Sequence, residues 1–369
     1  MKPISPLQLD FKDVLIKPVK SYLSSRSQVH LVKNFTFKHS PQVYHGIPII
    51  VANMDTTGTM NMAKKMALSH CMTAVHKHYS VEDLAQFFQP VTNPQERELL
   101  STHQHHLQHS FYSMGIVDSD IEKLEQVIAK VGTFDFEQPQ KGGIRMLCID
   151  VANGYMDSFV HFCSNIRQKY PSLIMMAGNV VCAQMTQELL LAGVDIVKVG
   201  IGSGSVCQTR VVAGTGRPQL SAILECQEAA EHNRGHIVSD GGITCIADFS
   251  KAFAVGCFGV MAGGIFSGHD ESEQKIIEEN GNKYIQFYGM SSAEAMSKYA
   301  GGVAKYRASE GKRVLIPYKG SVDKTINDIL GGVRSAHTYV GARNLDEFKI
   351  RADFYRVSQE VNEIYGKSK

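Results

Sequence analysis

The stretch Lys198-Val-Gly-Ile-Gly-Ser-Gly-Ser-Val-Cys-Gln-Thr-Arg210 carries the end of a strand into a glycine-rich loop. The segment Val194–Val199 is apolar and rich in β-branched residues, as expected for a buried strand. Glycines at 200, 202 and 204 permit positive φ, so the loop can turn its amides and carbonyls onto a small ligand. Cys207 would then lie where a nucleophile meets a substrate. A tight strand-to-helix turn with a buried cysteine is the alternative, and the following Cys-Gln-Thr-Arg disfavours it.

Eight β-rich runs alternate with amphipathic stretches through most of the chain. The predicted strands are Pro48–Asn53, Met72–His76, Ser113–Val117, Arg145–Val151, Leu173–Ala177, Ile196–Gly200, His236–Ser239 and Phe258–Ala262. The predicted helices are Met60–Ser69, Ile121–Val131, Asp157–Lys169, Ala183–Ala192, Gln219–Asn233 and Ile246–Ala254. This alternation predicts an α/β fold with parallel strands closed into a (β/α)8 TIM barrel. A doubly wound open sheet is the alternative.

Polar or glycine-rich residues follow most of the predicted strands directly. They are Asn53-Met-Asp, His76-Lys-His, Asp150-Val-Ala-Asn-Gly, Gly178-Asn, Gly202-Ser-Gly-Ser, Asp240-Gly-Gly and Gly263-Gly. In a barrel these points share the C-terminal rim, where the active sites of this fold are found. The sequence therefore predicts a ligand site on that rim.

The chain beyond residue 265 leaves the barrel pattern. Asn280-Gly within Glu271–Tyr288 predicts a hairpin, and Ser291–Tyr306 is helical in pattern. Arg307–Gly311 has the composition of a mobile flap, and Lys324–Leu330 and Leu345–Asn362 predict closing helices. Because there is no clear linker or low-complexity tract, we expect residues 1–369 to form a single domain with long loops on the C-terminal face.

Composition narrows the function classes. The net charge is +2 without a sustained Lys/Arg block, which argues against nucleic-acid binding. No apolar signal core or run of 18 apolar residues occurs, so we expect no membrane segment. Eight cysteines without CxxC pairs favour reduced thiols, seven of them ordinary buried residues, in a cytoplasmic protein. The histidine-rich stretch His103–His109 lacks carboxylate or cysteine partners at ligand spacing, and we expect a solvated loop or helix.

Two kinds of chemistry are expected on the rim. The amides of Asp240-Gly-Gly and Ala262-Gly-Gly, together with Ser205 and a hydroxyl from Tyr288, are suited to a phosphate. The Asp240 carboxylate can accept hydrogen bonds from two ribose hydroxyls. The Cys207 thiol must ionise to attack, and Thr209 needs a partner carboxylate such as Glu310 to move protons. Sequence spacing does not establish that Glu310 reaches Thr209, and a solvated loop carboxylate is the alternative.

The chain resembles the IMP dehydrogenase/GMP reductase family, and its GMP reductase branch most closely, over nearly its whole length. The matching stretches are Leu9-Asp-Phe-Lys-Asp-Val-Leu, Ser25-Arg-Ser, Ala52-Asn-Met-Asp, Ala74-Val-His-Lys-His-Tyr, Ile149-Asp-Val-Ala-Asn-Gly-Tyr, Met176-Ala-Gly-Asn-Val-Val, the Cys207 loop, Ser239-Asp-Gly-Gly, Phe287-Tyr-Gly-Met-Ser-Ser, Ala300-Gly-Gly-Val-Ala-Lys-Tyr-Arg-Ala-Ser-Glu-Gly and Asp328-Ile-Leu-Gly-Gly-Val-Arg-Ser. Chance does not place so many long motifs in the same order.

The resemblance implies reductive deamination of GMP to IMP and ammonia with NADPH. Cys207 would attack C2 of the base to give a thioimidate, with Thr209 and Glu310 as the proton-transfer pair. The implied substrate residues are Ser205, Asp240, Gly241, Gly242, Gly263, Gly264, Tyr288, Gly289, Met290, Ser291, Arg307 and Gly311. The implied cofactor residues are Ser25, Arg26, Lys77, Asp150, Val151, Ala152, Ile201, Gly202, Tyr306, Ser335, Ala336, His337 and Thr338.

The resemblance also implies a monovalent cation, K⁺, and a homotetramer. The cation would be held by carbonyls of Gly202, Gly204 and Cys207, together with Arg210, since hard carbonyl oxygens suit K⁺. The Ser25 and Ser335 stretches would then belong to a neighbouring subunit's cofactor site. The chain departs from the family pattern at Ser203, Gln208 and Ala293, which leaves the proposed catalytic residues intact.

Two other functions stay open. An IMP dehydrogenase usually carries a regulatory CBS pair, whereas the segment between His76 and Asp150 is needed for barrel elements, so we expect no CBS insertion. Such dehydrogenases also have a long flap with an Arg-Tyr pair, and here the span from Tyr306 to Pro317 is short. A catalytically silent purine-nucleotide sensor is the third possibility, and a pure binder would need no Cys207 nucleophile.

Overall fold

The computed structural model describes residues 7–135, 137–306 and 308–358. Its strands are β1 (Val14–Ile16), β2 (Lys33–Thr36), β3 (Val43–Gly46), β4 (Ile49–Val51), β5 (Met72–Val75), β6 (Ser110–Met114), β7 (Met146–Asp150), β8 (Ile174–Val180), β9 (Ile196–Val199), β10 (His236–Asp240), β11 (Gly259–Ala262), β12 (Ile276–Glu279), β13 (Asn282–Tyr288), β14 (Arg313–Pro317) and β15 (Phe354–Arg356).

The α-helices are α1 (Met60–Ala67), α2 (Val81–Phe87), α3 (Pro94–Ser101), α4 (Asp118–Val131), α5 (Asp157–Lys169), α6 (Ala183–Leu191), α7 (Thr209–Val212), α8 (Gln219–His232), α9 (Ile246–Val255), α10 (Ala293–Tyr299), α11 (Asp323–Val340) and α12 (Leu345–Arg351). Short 3-10 helices lie at Phe11–Asp13, Arg26–Gln28, His106–Gln108, Pro139–Lys141, Gly264–Phe266 and Asp270–Ser272.

Strands β4 to β11 form a closed parallel barrel, and pairing of β11 with β4 completes it. The TIM-barrel prediction is confirmed, and the open-sheet alternative is wrong. Helices α1, α4, α5, α6, α8 and α9 begin within three residues of their predicted starts, because apolar residues at helical spacing face the strands. All eight strand ends meet at one rim, as the sequence predicted.

The barrel interior is apolar below that rim. Side chains such as Ile50, Met146 and Ile196 are fully buried in one cluster inside the strands. The β2–β3 hairpin covers the opposite, N-terminal mouth, where the Phe35 ring lies 4.8 Å from the Phe258 ring, centroid to centroid. The interior is therefore a packed core, and a ligand has access only from the rim.

The third barrel strand was predicted three residues too late, at Ser113–Val117, whereas β6 spans Ser110–Met114. Because Ser110 is polar, its position did not indicate the start of a buried strand, although its side chain is fully buried. At the other end, the Gly115 amide donates to Asp120 Oδ2, 3.0 Å away. Ile116 and Val117 are apolar but lead directly into α4, so their hydrophobicity does not indicate a strand.

The C-terminal third differs from the prediction at several element ends. The hairpin around Asn280-Gly is confirmed, but β14 adds an unpredicted third strand to it. Helix α10 is shorter than Ser291–Tyr306, and α11 is longer than Lys324–Leu330. The expected helix Leu345–Asn362 ends at Arg351, because Phe354–Arg356 pairs with β1 instead. The rest of that predicted helix beyond residue 358 lies outside the described residues.

The histidine-rich stretch is not solvated, contrary to the prediction. His105 and His109 are buried, with 2% and 1% of their surface exposed. Burial lowers the pKa of His109 to about 3, although its hydrogen bond to the His103 carbonyl partly opposes this shift. These rings pack as neutral core residues beneath α1 and β5.

The cysteines agree only in part with the composition argument. All eight cysteines lie in described segments, and none of them forms a disulfide there. Five are buried, but Cys245 is exposed and Cys182 is partly exposed, so the expectation of seven buried structural cysteines is wrong in these two cases. Within the described ranges, no helix is long and apolar enough to cross a membrane.

The Phe35→Ala substitution tests the role of the β2–β3 hairpin. Phe35 is 6% exposed, so we expect a loss of about 3–5 kcal/mol in the free energy of unfolding, typical of a buried Phe→Ala change. Chemical denaturation measures this loss. Tyr22→Ala, at a side chain 81% exposed, is the control and should change stability by less than about 0.5 kcal/mol. Equal losses in both variants would contradict a closing role for the hairpin.

Candidate active site

A cavity of about 300 Å³ opens at the C-terminal rim. Its wall comprises residues 52–54, 150–152, 200–202, 204, 206–207, 209, 289–291 and 310, with Asn179, Lys198 and Asp240. The ends of five barrel strands therefore meet the two loops that carry Cys207 and Glu310. A larger cavity of about 510 Å³ lies near Met60 and His105, and its lining includes none of the predicted catalytic residues.

Three predicted catalytic side chains form a hydrogen-bonded chain in this wall. The Cys207 thiol donates to Thr209 Oγ1 across 3.2 Å, and the Thr209 hydroxyl donates to Glu310 Oε2 across 2.7 Å. All three residues are partly buried. A proton can thus pass from the sulfur through the hydroxyl to the carboxylate. We call this set of residues the relay.

Backbone contacts hold the two halves of the relay together. The Gln208 amide donates to the Glu310 carbonyl at 2.7 Å, and the Lys312 amide donates to the Val206 carbonyl at 3.0 Å. Gly311 bridges both Cys207 and Ser292. A Cβ on Gly311 would lie 2.8 Å from the Ser292 nitrogen, so the close approach requires glycine. Glu310 is therefore fixed beside Thr209 and is not a solvated loop carboxylate.

The cavity floor is built around the buried Lys198 ammonium. Only 2% of the Lys198 side chain is exposed; it pairs with Asp150 Oδ1 and lies 3.4 Å from Asp240 Oδ2. Asn179 Nδ2 donates to Asp240 Oδ2 at 2.8 Å, and Asn53 Nδ2 donates to Asp150 Oδ2 at 3.0 Å. One cation and two amides thus orient two carboxylates toward the opening.

Lys198 also sets the protonation state of the floor. Burial opposes charge on Asp150, but the Lys198 ammonium and the Asn53 hydrogen bond prevail and hold the Asp150 pKa below its usual value. Burial likewise opposes charge on Lys198, and attraction to Asp150 and Asp240 raises the Lys198 pKa above its usual range. Lys198 and Asp150 are therefore both charged at neutral pH.

The loops predicted to hold phosphate lie together beside the cavity. Gly264 approaches Ser205 so closely that a Cβ there would lie 2.7 Å from Ser205 Oγ. The Gly242 amide already donates to the Ser203 carbonyl, and the Gly241 amide to the Met261 carbonyl. This leaves Ser205 and the start of the Gly264–Phe266 turn as the polar face toward a phosphate.

The Tyr288 hydroxyl, predicted to contact the same phosphate, donates instead to Asp55 Oδ2 at 2.6 Å. Tyr288 is not among the cavity-lining residues, whereas its neighbours Gly289, Met290 and Ser291 are. Arg307, predicted on the flap, lies outside the described residues.

Comparison with known proteins agrees with this geometry. Residues 8–363 match the IMP dehydrogenase / GMP reductase domain. The chain is 51% identical to GMP reductase 1 of Mus musculus over 360 residues, and 50% identical to GMP reductase 2 of Homo sapiens over 362. It is 50% identical to GMP reductase of Shewanella pealeana over 361 residues. Each alignment covers 98% of both chains.

The chain belongs to the IMP dehydrogenase/GMP reductase family. The family implies a nicotinamide cofactor, and the predicted cofactor residues fall into two groups. Asp150, Val151, Ala152, Ile201 and Gly202 line the cavity. Lys77 stands close enough to Asp150 to lower the Asp150 pKa, and its ammonium lies 2.8 Å from Asp120 Oδ2.

The second group lies on a separate surface. Ser25 and Arg26 are exposed in the Arg26–Gln28 turn, which packs against α11, the helix of Ser335, Ala336, His337 and Thr338. None of these residues lines the cavity. His337 is fully buried and its ring stacks on Phe348, 3.9 Å centroid to centroid. Tyr306, at the other predicted position, is 93% exposed.

The predicted cation site consists of backbone carbonyls in the Cys207 loop. The Gly204 carbonyl accepts the Cys207 amide at 3.0 Å, which leaves it one lone pair for an ion. The Arg210 guanidinium lies 3.4 Å from Asp10 Oδ2 and donates to the Arg217 carbonyl, so Arg210 could contribute only its own carbonyl. Among the described residues no group of three His, Cys, Asp or Glu could hold a metal ion, so the predicted site offers carbonyl oxygens, which suit a hard cation.

The sequence analysis missed Lys198, Asn179, Asn53 and Asp55 as functional residues. The sequence did hold a signal for Lys198, because a lysine within the otherwise apolar strand Ile196–Val199 is seldom buried without a carboxylate partner. Asn53, Asp55 and Asn179 stood in the polar clusters after strands, but their partners lie on strands and loops distant in sequence.

Lys198→Met tests the ionic floor. We expect a loss of about 1–3 kcal/mol in unfolding free energy at neutral pH, because two partly buried carboxylates lose their cation. Asp150 has a depressed pKa in the folded wild type, so its contribution holds above its usual value of 3.8 and fades only below it. In the variant the Asp150 pKa rises, so the deficit should narrow as the pH falls toward 3.8.

Denaturation at neutral and mildly acidic pH measures this deficit. Lys130→Met is the matched control, since Lys130 pairs with Glu82 at 3.4 Å with both side chains at least half exposed. Lys130→Met should lower the free energy of unfolding by only a small fraction of the loss in Lys198→Met, and this small loss should not change with pH. A deficit in Lys198→Met that stayed constant with pH would contradict the assignment.

Proposed function

We propose that the protein is a GMP reductase that converts GMP, NADPH and a proton to IMP, NADP⁺ and ammonia. The observation that carries the proposal is the relay from the Cys207 thiol through Thr209 to Glu310, set in the wall of the rim cavity. Relatives named GMP reductase, about half identical over 98% of both chains, support the same reaction.

The first half-reaction is nucleophilic displacement at C2 of GMP. Glu310 accepts the Cys207 proton through Thr209, and the thiolate sulfur forms a bond to C2. The bond from C2 to the exocyclic nitrogen then breaks, and Glu310 returns the proton through Thr209 so that ammonia leaves. The product is a thioimidate between Cys207 and the purine, and the carboxylate is regenerated.

In the second half-reaction NADPH supplies the hydride that reduces C2. The sulfur then departs with its bonding electrons, which frees IMP and restores the Cys207 thiolate. The closed loops must exclude water from the thioimidate until reduction, since attack by water at C2 would divert the intermediate.

Several groups are suited to hold the substrate. Asp240, held by Lys198 and Asn179, presents its carboxylate at the cavity floor to the ribose hydroxyls. Ser205 and Gly264 flank a position for the phosphate. Met290 and Ser291 form the wall against the base.

The cofactor site would be completed by a second subunit. Asp150 to Ala152 would contact the cofactor in the cavity, and Lys77 with Arg26 from a neighbour would recognise the 2′-phosphate that distinguishes NADPH. Ser25, Arg26 and the partly exposed α11 residues lie together on a surface away from the cavity, as a homotetramer that shares its cofactor sites would require. K⁺ in the carbonyl loop would brace Cys207.

The short connection after Glu310 favours the reductase over IMP dehydrogenase. Strand β14 begins at Arg313, and Gly311 is already bound to the Cys207 loop. The span therefore lacks the length for a large water-activating flap. A reduced Cys207 is required for turnover, which favours the reducing cytoplasm as its location.

The direct test is the GMP-dependent oxidation of NADPH. It is monitored by the loss of NADPH absorbance and by the release of ammonia. The wild type should consume both substrates in equal amounts. Cys207→Ser should keep GMP binding and lose about 10⁴-fold or more in turnover, because it lacks the nucleophile. Cofactor reduction with IMP and NAD⁺, without GMP-dependent oxidation, would identify a dehydrogenase. GMP binding without either reaction would identify a sensor.

Thr209 and Glu310 have separable contributions. Glu310→Gln retains a hydrogen-bond acceptor for Thr209 but no base, so we expect kcat to fall about 10²–10⁴-fold with little change in GMP affinity.

Thr209→Val should lower kcat by a similar factor, because it removes the hydroxyl that joins Cys207 to Glu310. Thr209→Ser should retain most of the wild-type activity, because it keeps that hydroxyl. Steady-state kinetics and GMP titration measure both effects. Equal activity of the Val and Ser variants would exclude the hydroxyl from proton transfer.

A further inference from the structure

Asp55, the residue after cavity-lining Met54, is buried at 3% of its surface and gathers three donors on one oxygen. Its Oδ2 accepts the Tyr288 hydroxyl at 2.6 Å, the Lys298 ammonium at 2.9 Å and the Tyr299 hydroxyl at 2.6 Å. Tyr288 ends β13, and Lys298 and Tyr299 lie at the end of α10. The Asp55 carboxylate thus connects both ends of the segment 288–299 to the loop that follows β4, the first barrel strand.

The segment between these tethers carries the support for Glu310. The Glu310 amide donates to the Ser291 carbonyl at 3.0 Å, and Ser292 bridges Gly311. The Glu310 carbonyl in turn accepts the Gln208 amide beside Cys207. A displacement of the segment 288–299 would therefore shift the Glu310 backbone relative to Thr209.

A second contact locks the same segment. The His78 ring, after β5, stacks on the Tyr299 ring with centroids 3.5 Å apart and planes 14° apart. Burial raises the pKa of Asp55, but the hydrogen bonds from Lys298 and the two tyrosines reverse this and hold the Asp55 pKa below its usual value. Asp55 is therefore a permanent anion at neutral pH, and its Oδ1 is buried without a donor among the described residues.

We propose that Asp55 is a positioning residue for the relay, which holds the segment 288–299 in place and thereby sets Glu310 against Thr209. The proposal rests on the proposed function, because it assigns Glu310 its role in turnover. Asp55 does not line the cavity. Its effect on catalysis must therefore pass through the segment 288–299, and a double-mutant cycle with Glu310 isolates the part that passes through the relay.

The test is a double-mutant cycle of Asp55→Asn and Glu310→Gln. Alone, Asp55→Asn should lower kcat about 10–100-fold, and any movement of the cavity residues Met290 and Ser291 is read separately as a change in KM for GMP. In the Glu310→Gln background it should add less than about 3-fold, because there is no carboxylate left to position. An undiminished 10–100-fold loss in that background would overturn the proposal.

Tyr299→Phe and Asp248→Asn are the matched variants. Tyr299→Phe removes one donor at the protein surface and should give a smaller kcat loss of the same kind. Asp248 is 1% exposed and accepts from Thr244 at the start of α9, so Asp248→Asn makes the same change in a buried acceptor outside the relay. It should leave kcat unchanged even where it lowers the thermal midpoint. An equal kcat loss in Asp248→Asn would show that destabilisation alone explains the Asp55 effect.

Hydrogen exchange of the full-length protein supplies a readout without turnover. Asp55→Asn should accelerate exchange of amides in 292–300 and 310–312 and leave those of β9 and β10 unchanged. Unchanged exchange in the first two segments would overturn the proposal even if the kinetics agreed. Absence of GMP-dependent turnover in the wild type would instead contradict the proposed function, while the exchange result still decides whether Asp55 holds the segment.

Discussion

The pairing of one buried ammonium with two carboxylates is the constraint on which the rim cavity depends. Lys198 stands on β9, between Asp150 on the β7 side and Asp240 at the end of β10. Below it the barrel is apolar, so the buried Lys198 ammonium depends on these two carboxylates as its partners. Because Lys198 is fixed by its strand, it holds one carboxylate on the β7 side of the cavity and the other on the β10 side.

The chemistry above that floor depends on backbone contacts between segments about a hundred residues apart. Glu310 reaches Thr209 because the strand-like bridge at Gly311 joins the Cys207 loop, and because Ser291 and Ser292 support it from the other side. These contacts use amides and carbonyls, so they tolerate side-chain change. This explains why departures at Ser203 and Gln208 are compatible with an intact relay, since neither side chain takes part in it.

The barrel was predictable because strand and helix periodicities are local, and α5 was predicted from Asp157 to Lys169 as observed. The prediction was wrong where a polar residue is buried in a strand, as Ser110 is in β6. It was also wrong where a segment pairs with a partner distant in sequence, as Phe354–Arg356 pairs with β1. The identities of Cys207, Thr209 and Glu310 followed from motifs. Their contacts, and the Lys198 and Asp55 networks, depend on three-dimensional proximity that spacing does not reveal.

Buried charges are costly, and this bears on why the site contains them. Well-packed apolar side chains of similar volume often stabilise a fold as well as a buried ion pair does, so stability alone does not explain Lys198 or Asp55. A charged pair also fixes the orientation of its members. Lys198 orients two carboxylates at the cavity floor, and Asp55 Oδ2 accepts hydrogen bonds from three donors. The proposed displacement at C2 followed by hydride transfer would need the sulfur, the base and the ribose contact fixed together before the substrate arrives. The two networks supply that rigidity from opposite sides of the cavity, Lys198 in its floor and Asp55 behind its wall.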